Sequence, residues 1–181
     1  MEHEIAVDKR AMIVTRADTH GVIEYANHDF CEVSGYALNE IVGKPHNIIR
    51  HPDMPAVIFK LMWQRIKNGQ DIFAVVKNRA KNGNFYWVTT KFSIRRHAFE
   101  KHIIGFIAYR QKADPTIVQE ISKLYVDLLA IEKEVGIEAS EKYLHGFLDA
   151  MGHTYDSYVE KLALQGEASK GFFSKMVSLF S

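Results

Sequence analysis

Cysteine is nearly absent: Cys31 is the only one in 181 residues. A disulfide within the chain is excluded, and a thiolate zinc site has no ligands to draw on. That scarcity suits a reducing, cytoplasmic setting. Charge of one sign is also missing, because 23 basic and 22 acidic side chains leave a net +1. Without a basic field, nucleic acid is not an expected partner. No apolar run reaches the roughly 18 residues that signal a membrane span. The N-terminus, Met1-Glu2-His3-Glu4, is charged and lacks the apolar core of a secretory signal. No P-loop, Gly-rich dinucleotide fingerprint or Gly-x-Ser-x-Gly occurs, so nothing points to an enzyme. The nine histidines include no His-Glu-x-x-His pair, and no metal site is expected. What is present is a hydrophobic content of 47% with 12% aromatics, enough for one ordinary core and an appendage.

Patterning predicts strands over Met12–Thr15 and Gly21–Ala26, then a short helix over Asn27–Val33. Asn27 is placed to cap that helix and Gly35 to end it. A helical turn over Leu38–Val42 and a helix over Ala56–Lys67 follow. Strands over Ile72–Ala80 and Asn84–Arg95 flank Asn82-Gly83, a strong hairpin signal. A last strand runs over His102–Tyr109. Antiparallel strands with helices grouped between them make this an α+β chain. After Asp114-Pro115 the apolar period becomes helical. One helix carries Ile117, Ile121, Leu124, Leu128 and Ile131; beyond Gly136 a second is predicted over Ala139–Leu164, although it contains Gly146 and Gly152. The expected divisions are a 1–10 extension, an 11–113 core domain, a 114–165 helical extension and a 166–181 tail. That tail is amphipathic if helical, with partner or self-packing preferred over a membrane surface.

The densest chemistry lies in His46-Asn47-Ile48-Ile49-Arg50-His51-Pro52-Asp53-Met54-Pro55. Two prolines fix the backbone just before a helix, and Asp53 is placed to cap it. Arg50 and His51 are less easily explained as plain surface, since a guanidinium offers a planar fork of donors to an anion or ring edge. Cys31 is expected to be a packing residue. Lys77, Arg79 and Lys81 read as a solvated edge beside the hairpin turn. Alternation places Ile72, Ala74, Val76 and Asn78 on one strand face. If that face is the inner one, Asn78 projects an amide into an apolar interior and needs partners there.

These strings, together with Val33-Ser34-Gly35-Tyr36, Gly43-Lys44-Pro45, Met62-Trp63 and Tyr86-Trp87-Val88, resemble a PAS domain of the aerotaxis-receptor type across about residues 10 to 112. The resemblance implies a five-stranded antiparallel sheet with helices on one side. It implies FAD as cofactor and a role as a redox sensor in energy taxis, without catalysis. Carried over by position, Arg50, His51 and Asp53 are implicated in FAD binding. Asn27, His46, Phe59, Trp63, Ile72, Asn78 and Trp87 match the pocket. No cysteine stands where light-sensing flavin domains form their adduct. The short chain resembles the separate PAS subunit of a two-protein system. Its implied partner is a membrane-bound methyl-accepting or HAMP-containing transducer, and the chain would sit in the cytoplasm or at the inner face of the membrane through that partner. The helices from Ile117 to Leu164 favour a helical partner or a homodimer under every reading; a haem-binding sensor using His46 or His51 and a cofactor-free interaction module are the alternatives.

Overall fold

The computed structural model describes residues 2–165; the predicted tail lies outside them. Its strands are β1 Ile13–Ala17, β2 Ile23–Ala26, β3 Ile72–Arg79, β4 Phe85–Arg96 and β5 Ile103–Lys112. Its helices are α1 His28–Ser34, α2 Leu38–Ile41, α3 Ala56–Lys67, α4 Pro115–Glu134, α5 Ile137–Met151 and α6 Tyr155–Gln165, with a 3₁₀ turn at His46–Ile49. The strands form one antiparallel sheet in the order β2-β1-β5-β4-β3. The chain is thus α+β, and its buried core joins the sheet to α1 and α3 and takes in residues of α4–α6 as well.

Local chemistry explains most element ends. The Asn27 amide oxygen accepts from Phe30 N at 3.1 Å, and Gly35 ends α1 with a φ of 71°. Gly83 turns the β3–β4 hairpin at a φ of 88°, and Ala80 N closes it on Asn84 O at 2.8 Å. Two expectations are corrected. The second C-terminal helix does not run through Gly152. That residue adopts a left-handed φ of 68°, where a side chain would be strained, and the helix ends there as α5. The last strand runs three residues beyond Tyr109, and its final turn of pleat includes Arg110.

Asp53 does not cap α3. The orphan amides of Ala56 and Val57 donate instead to the two carboxylate oxygens of Glu132, at 2.9 and 2.8 Å. A carboxylate at a helix N-terminus satisfies both the donors and the dipole. The C-terminal helices are therefore wired into the core. Lys60 of α3 meets Glu141 of α5 at 2.6 Å, and Arg65 meets Asp156 of α6 at 2.7 Å.

Both sheet edges are closed by other parts of the chain, which removes the usual liability of unpaired strands. Along β2, Ile23 N donates to Lys44 O and Gly43 N to Ile23 O. Along β3 the outward groups are met by side chains. Phe73 N donates to Asp156 Oδ1 at 2.9 Å, Val75 O accepts from Tyr125 Oη at 2.6 Å, and Lys77 N donates to Met54 Sδ at 3.2 Å.

Candidate functional site

A cavity of about 420 Å³ opens between α3, the His46–Arg50 segment and the inner face of the sheet. Phe59, Trp63, Phe92 and Phe106 form an aromatic part of its wall. Trp63 meets Phe106 edge-on at 5.5 Å between ring centroids, and Phe92 meets Phe106 at 6.1 Å. Phe59 lies under the Arg50 guanidinium at 4.1 Å. Gly21 completes the wall: a Cβ there would lie 3.0 Å from Trp63 Cη2, and its φ of 82° also favours glycine. Such dimensions and such a lining are those of a small-molecule site.

Polar and charged side chains share this lining, among them His46, Arg50, Lys60, Asn78 and Arg110, and they are not all satisfied. Asn78 is 3% exposed, yet its Nδ2 has no hydrogen-bond partner. Tyr86, paired with it across the β3–β4 ladder, also has a hydroxyl without one. The two do not meet in hydrogen-bond geometry, although the amide is near enough to ease the phenol's ionisation against the dominant, opposing effect of burial. A buried donor left unpaired costs about 1–3 kcal/mol.

The cavity also holds a cluster that sequence reasoning missed. Arg110 of β5 is 2% exposed. It donates through Nη1 to Thr15 Oγ1 at 2.9 Å and through Nη2 to His46 Nε2 at 2.8 Å. Thr15 Oγ1 is also 2.9 Å from His46 Nε2. A guanidinium only donates, so His46 must present a bare Nε2 and carry its proton on Nδ1. Burial, and next the Arg110 charge, pull the His46 pKa down to about 3. The ring keeps some exposed surface and lines the cavity. Burial also pulls Arg110 down, to about 10.

The predicted site residues divide into two groups. His46, Arg50, Phe59, Trp63 and Asn78 line the cavity, and the backbones of Arg50 and Asn78 pair as an isolated antiparallel bridge. The other five lie outside its lining. The Asn27 amide is used on Val14 N, Phe30 N and Met12 O, which pins α1 to β1. His51 is buried against Phe85, with Nε2 3.1 Å from Glu2 Oε2 and Nδ1 accepting from Asp53 N at 3.0 Å. Asp53 pairs with Lys77 Nζ at 2.7 Å, which holds its carboxyl below the usual range. Lys77 is therefore not a solvated edge residue: it lies buried over the Phe85 ring. Ile72 is core, opposite Phe92 in the ladder. Trp87 faces outward and stacks on Tyr125 of α4 at 6.3 Å.

Comparison with known proteins agrees with this architecture. The aerotaxis receptor of Escherichia coli strain K12 is 38% identical over 118 residues, which is 65% of this chain and 23% of the receptor. The biofilm dispersion protein BdlA of Pseudomonas aeruginosa is 24% identical over 112 residues, 61% of this chain and 27% of that protein. The chain thus spans less than a third of either curated relative. Among solved structures, a light-oxygen-voltage domain whose mechanism was addressed with a flavin analogue superposes with a TM-score of 0.52 at 19% identity, covering 67% of this chain and 87% of that one. A family model described as the PAS fold matches residues 23–109. From β1 to β5 the chain has the fold that this model describes, a five-stranded antiparallel sheet with helices and a cavity against one face.

Proposed function

We propose that this chain is a flavin-binding redox sensor, with FAD as its cofactor, that signals to a chemotaxis-type transducer. The observation that carries this reading is Asn78. Asn78 lines the cavity, and its buried amide nitrogen lacks a partner that a planar heterocycle edged with acceptors would supply. The likeness to an aerotaxis receptor and to a light-oxygen-voltage domain supports the same choice.

The donors present fit a flavin better than haem. His46 Nε2 is engaged by Arg110 and Thr15, and His51 lies off the cavity with both nitrogens engaged. A cofactor-free module would leave the Asn78 donor uncompensated. When bound, a flavin supplies reversible electron transfer that changes charge and protonation of its ring. Trp63 and Phe59 would pack on the ring, Asn78 would donate to its edge, and Arg50 at the rim would offer a fork of donors to phosphate. Because Glu132 holds the first amides of α3, any shift of Phe59 and Trp63 is felt directly in α4. The role is binding and relay, with no substrate turned over. Under this reading the chain works in the cytoplasm, alone or as a homodimer, and reaches the membrane through its transducer. Among the described residues no helix is long and apolar enough to cross a membrane.

An absorption spectrum of purified protein, oxidised and reduced, tests the cofactor. Paired flavin bands that bleach on reduction are expected, and FAD released on denaturation. A Soret band, or a colourless protein that takes up neither FAD nor FMN, overturns the reading.

A further inference from the structure

We propose that Arg110 is the counter-charge for the reduced form of the cofactor and so sets its redox preference; this rests on the flavin reading above. The starting observation is an electrostatic imbalance. Arg110 is buried and lines the cavity, yet all three of its acceptors are neutral: Thr15 Oγ1, His46 Nε2 and Ala108 O. No carboxylate pairs with it among the described residues, whereas Lys60, Lys77 and Arg65 each have an acidic partner. A charge buried without its opposite is costly, and proteins keep one where something else supplies the balance. Arg110 nonetheless stays protonated near neutral pH, since burial lowers it only to about 10. His46 cannot relieve the imbalance, because it is held neutral with its lone pair toward the guanidinium.

The missing negative charge must therefore come from the occupant. An oxidised flavin ring is neutral. When it takes two electrons from an external low-potential donor and one proton from solvent, it gains a net charge of −1, and the donor is oxidised by two electrons. Only the reduced ring balances Arg110, so the site binds it more tightly and the potential rises. A phosphate of the cofactor would balance the charge equally well in both redox states and would leave the potential unmoved. Thr15 and His46 serve as positioning residues: they hold the fork in place and, being neutral, leave its charge available.

The test compares R110Q and R110K with the native chain, in a dithionite titration against a reference dye, with circular dichroism to confirm folding. R110M supplies the neutral arm if R110Q does not fold. R110Q should lose roughly tenfold of the preference for reduced over oxidised flavin, about 30 mV lower for a two-electron couple. R110K, which keeps the charge, should stay near the native potential. Without flavin, the neutral variant should be no less stable than the native chain, since Thr15 and His46 can still bond each other. A flavin-loaded R110Q with an unchanged potential overturns the inference and leaves the flavin reading standing. Loss of FAD but not of riboflavin makes Arg110 a phosphate contact and overturns it as well. So does equal loss of both redox states. A native chain that takes up no flavin overturns the reading beneath, and the inference with it.

Discussion

Single side chains in this cavity are placed at some expense to the empty protein, and that makes them testable one at a time. Replacing Asn78 by Leu removes an unpartnered donor from an apolar wall. Without cofactor, N78L should melt no lower than the native chain, because the cost of about 1–3 kcal/mol for the orphan donor disappears. With flavin, its affinity should fall about tenfold, the equivalent of 1.4 kcal/mol, measured by fluorescence titration. His46 gives a pH signature. Its folded pKa of about 3 lies below the ordinary 6.5, so below pH 6.5 the unfolded chain binds a proton that the native state refuses. Stability from this group is whole above pH 6.5 and declines as pH falls toward 3, by at most about 1.4 kcal/mol per pH unit; water in the cavity lowers that slope. Urea midpoints between pH 7 and 5 should show the decline in the native chain and a flatter curve in H46Q. That window lies above the range in which Glu2, Asp53 and Glu141 protonate, since their partners lower them further. The sequence made Asn78 legible through strand alternation together with its match to a pocket position of the family it resembles. Arg110 was not legible: the strand pattern faded at Tyr109, and Arg110-Gln111-Lys112 looks like an ordinary solvated strand end.

At the scale of elements, the central fact is that α3 begins on someone else's side chain. Pro55 occupies the cap position and offers no acceptor, so both first-turn amides depend on Glu132. E132A should cost about 1–2 kcal/mol by chemical denaturation, the range of a lost helix cap. It should also weaken flavin binding, since the same helix carries Phe59 and Trp63. E132Q, which keeps one acceptor oxygen, should fall between. Sequence periodicity located α3 at Ala56–Lys67 and the hairpin at Asn82-Gly83, because those signals are local. It assigned the cap to Asp53 for the same reason, and there it failed. The true cap lies 76 residues away, and no local pattern encodes it. Asp53 and His51 illustrate the same limit: their partners, Lys77 and Glu2, sit on β3 and on the N-terminal segment. Only Gly152 was a local signal that the strength of the surrounding apolar period masked.

Taken whole, the molecule is a PAS sheet whose free edge is closed by its own C-terminal helices. Tyr125 and Tyr155 share a hydrogen bond of 2.6 Å beside Val75, and burial raises the pKa of both phenols. The near-balanced charge and the mixed surface give no broad field for a polyanion. Cavity and helical extension meet at three places: Glu132 on the start of α3, Glu141 on Lys60, and Asp156 on both Arg65 and Phe73 N. The helices are fastened to the cavity wall as well as to the sheet.

That fastening doubles as a clock. The amides of Ala56, Val57 and Phe73 are shielded from solvent by carboxylates on α4 and α6, while the neighbouring amides of β3 are shielded by the β4 ladder. Deuterium should therefore enter in two stages, first at these three positions when the helices lift, and later through the ladder when the sheet itself opens. D156N should quicken uptake at Phe73 and leave Ala74 and Val76 unchanged. If all five amides exchanged together, the helices and the sheet would open as one piece, and no separate motion would be left to carry a signal outward.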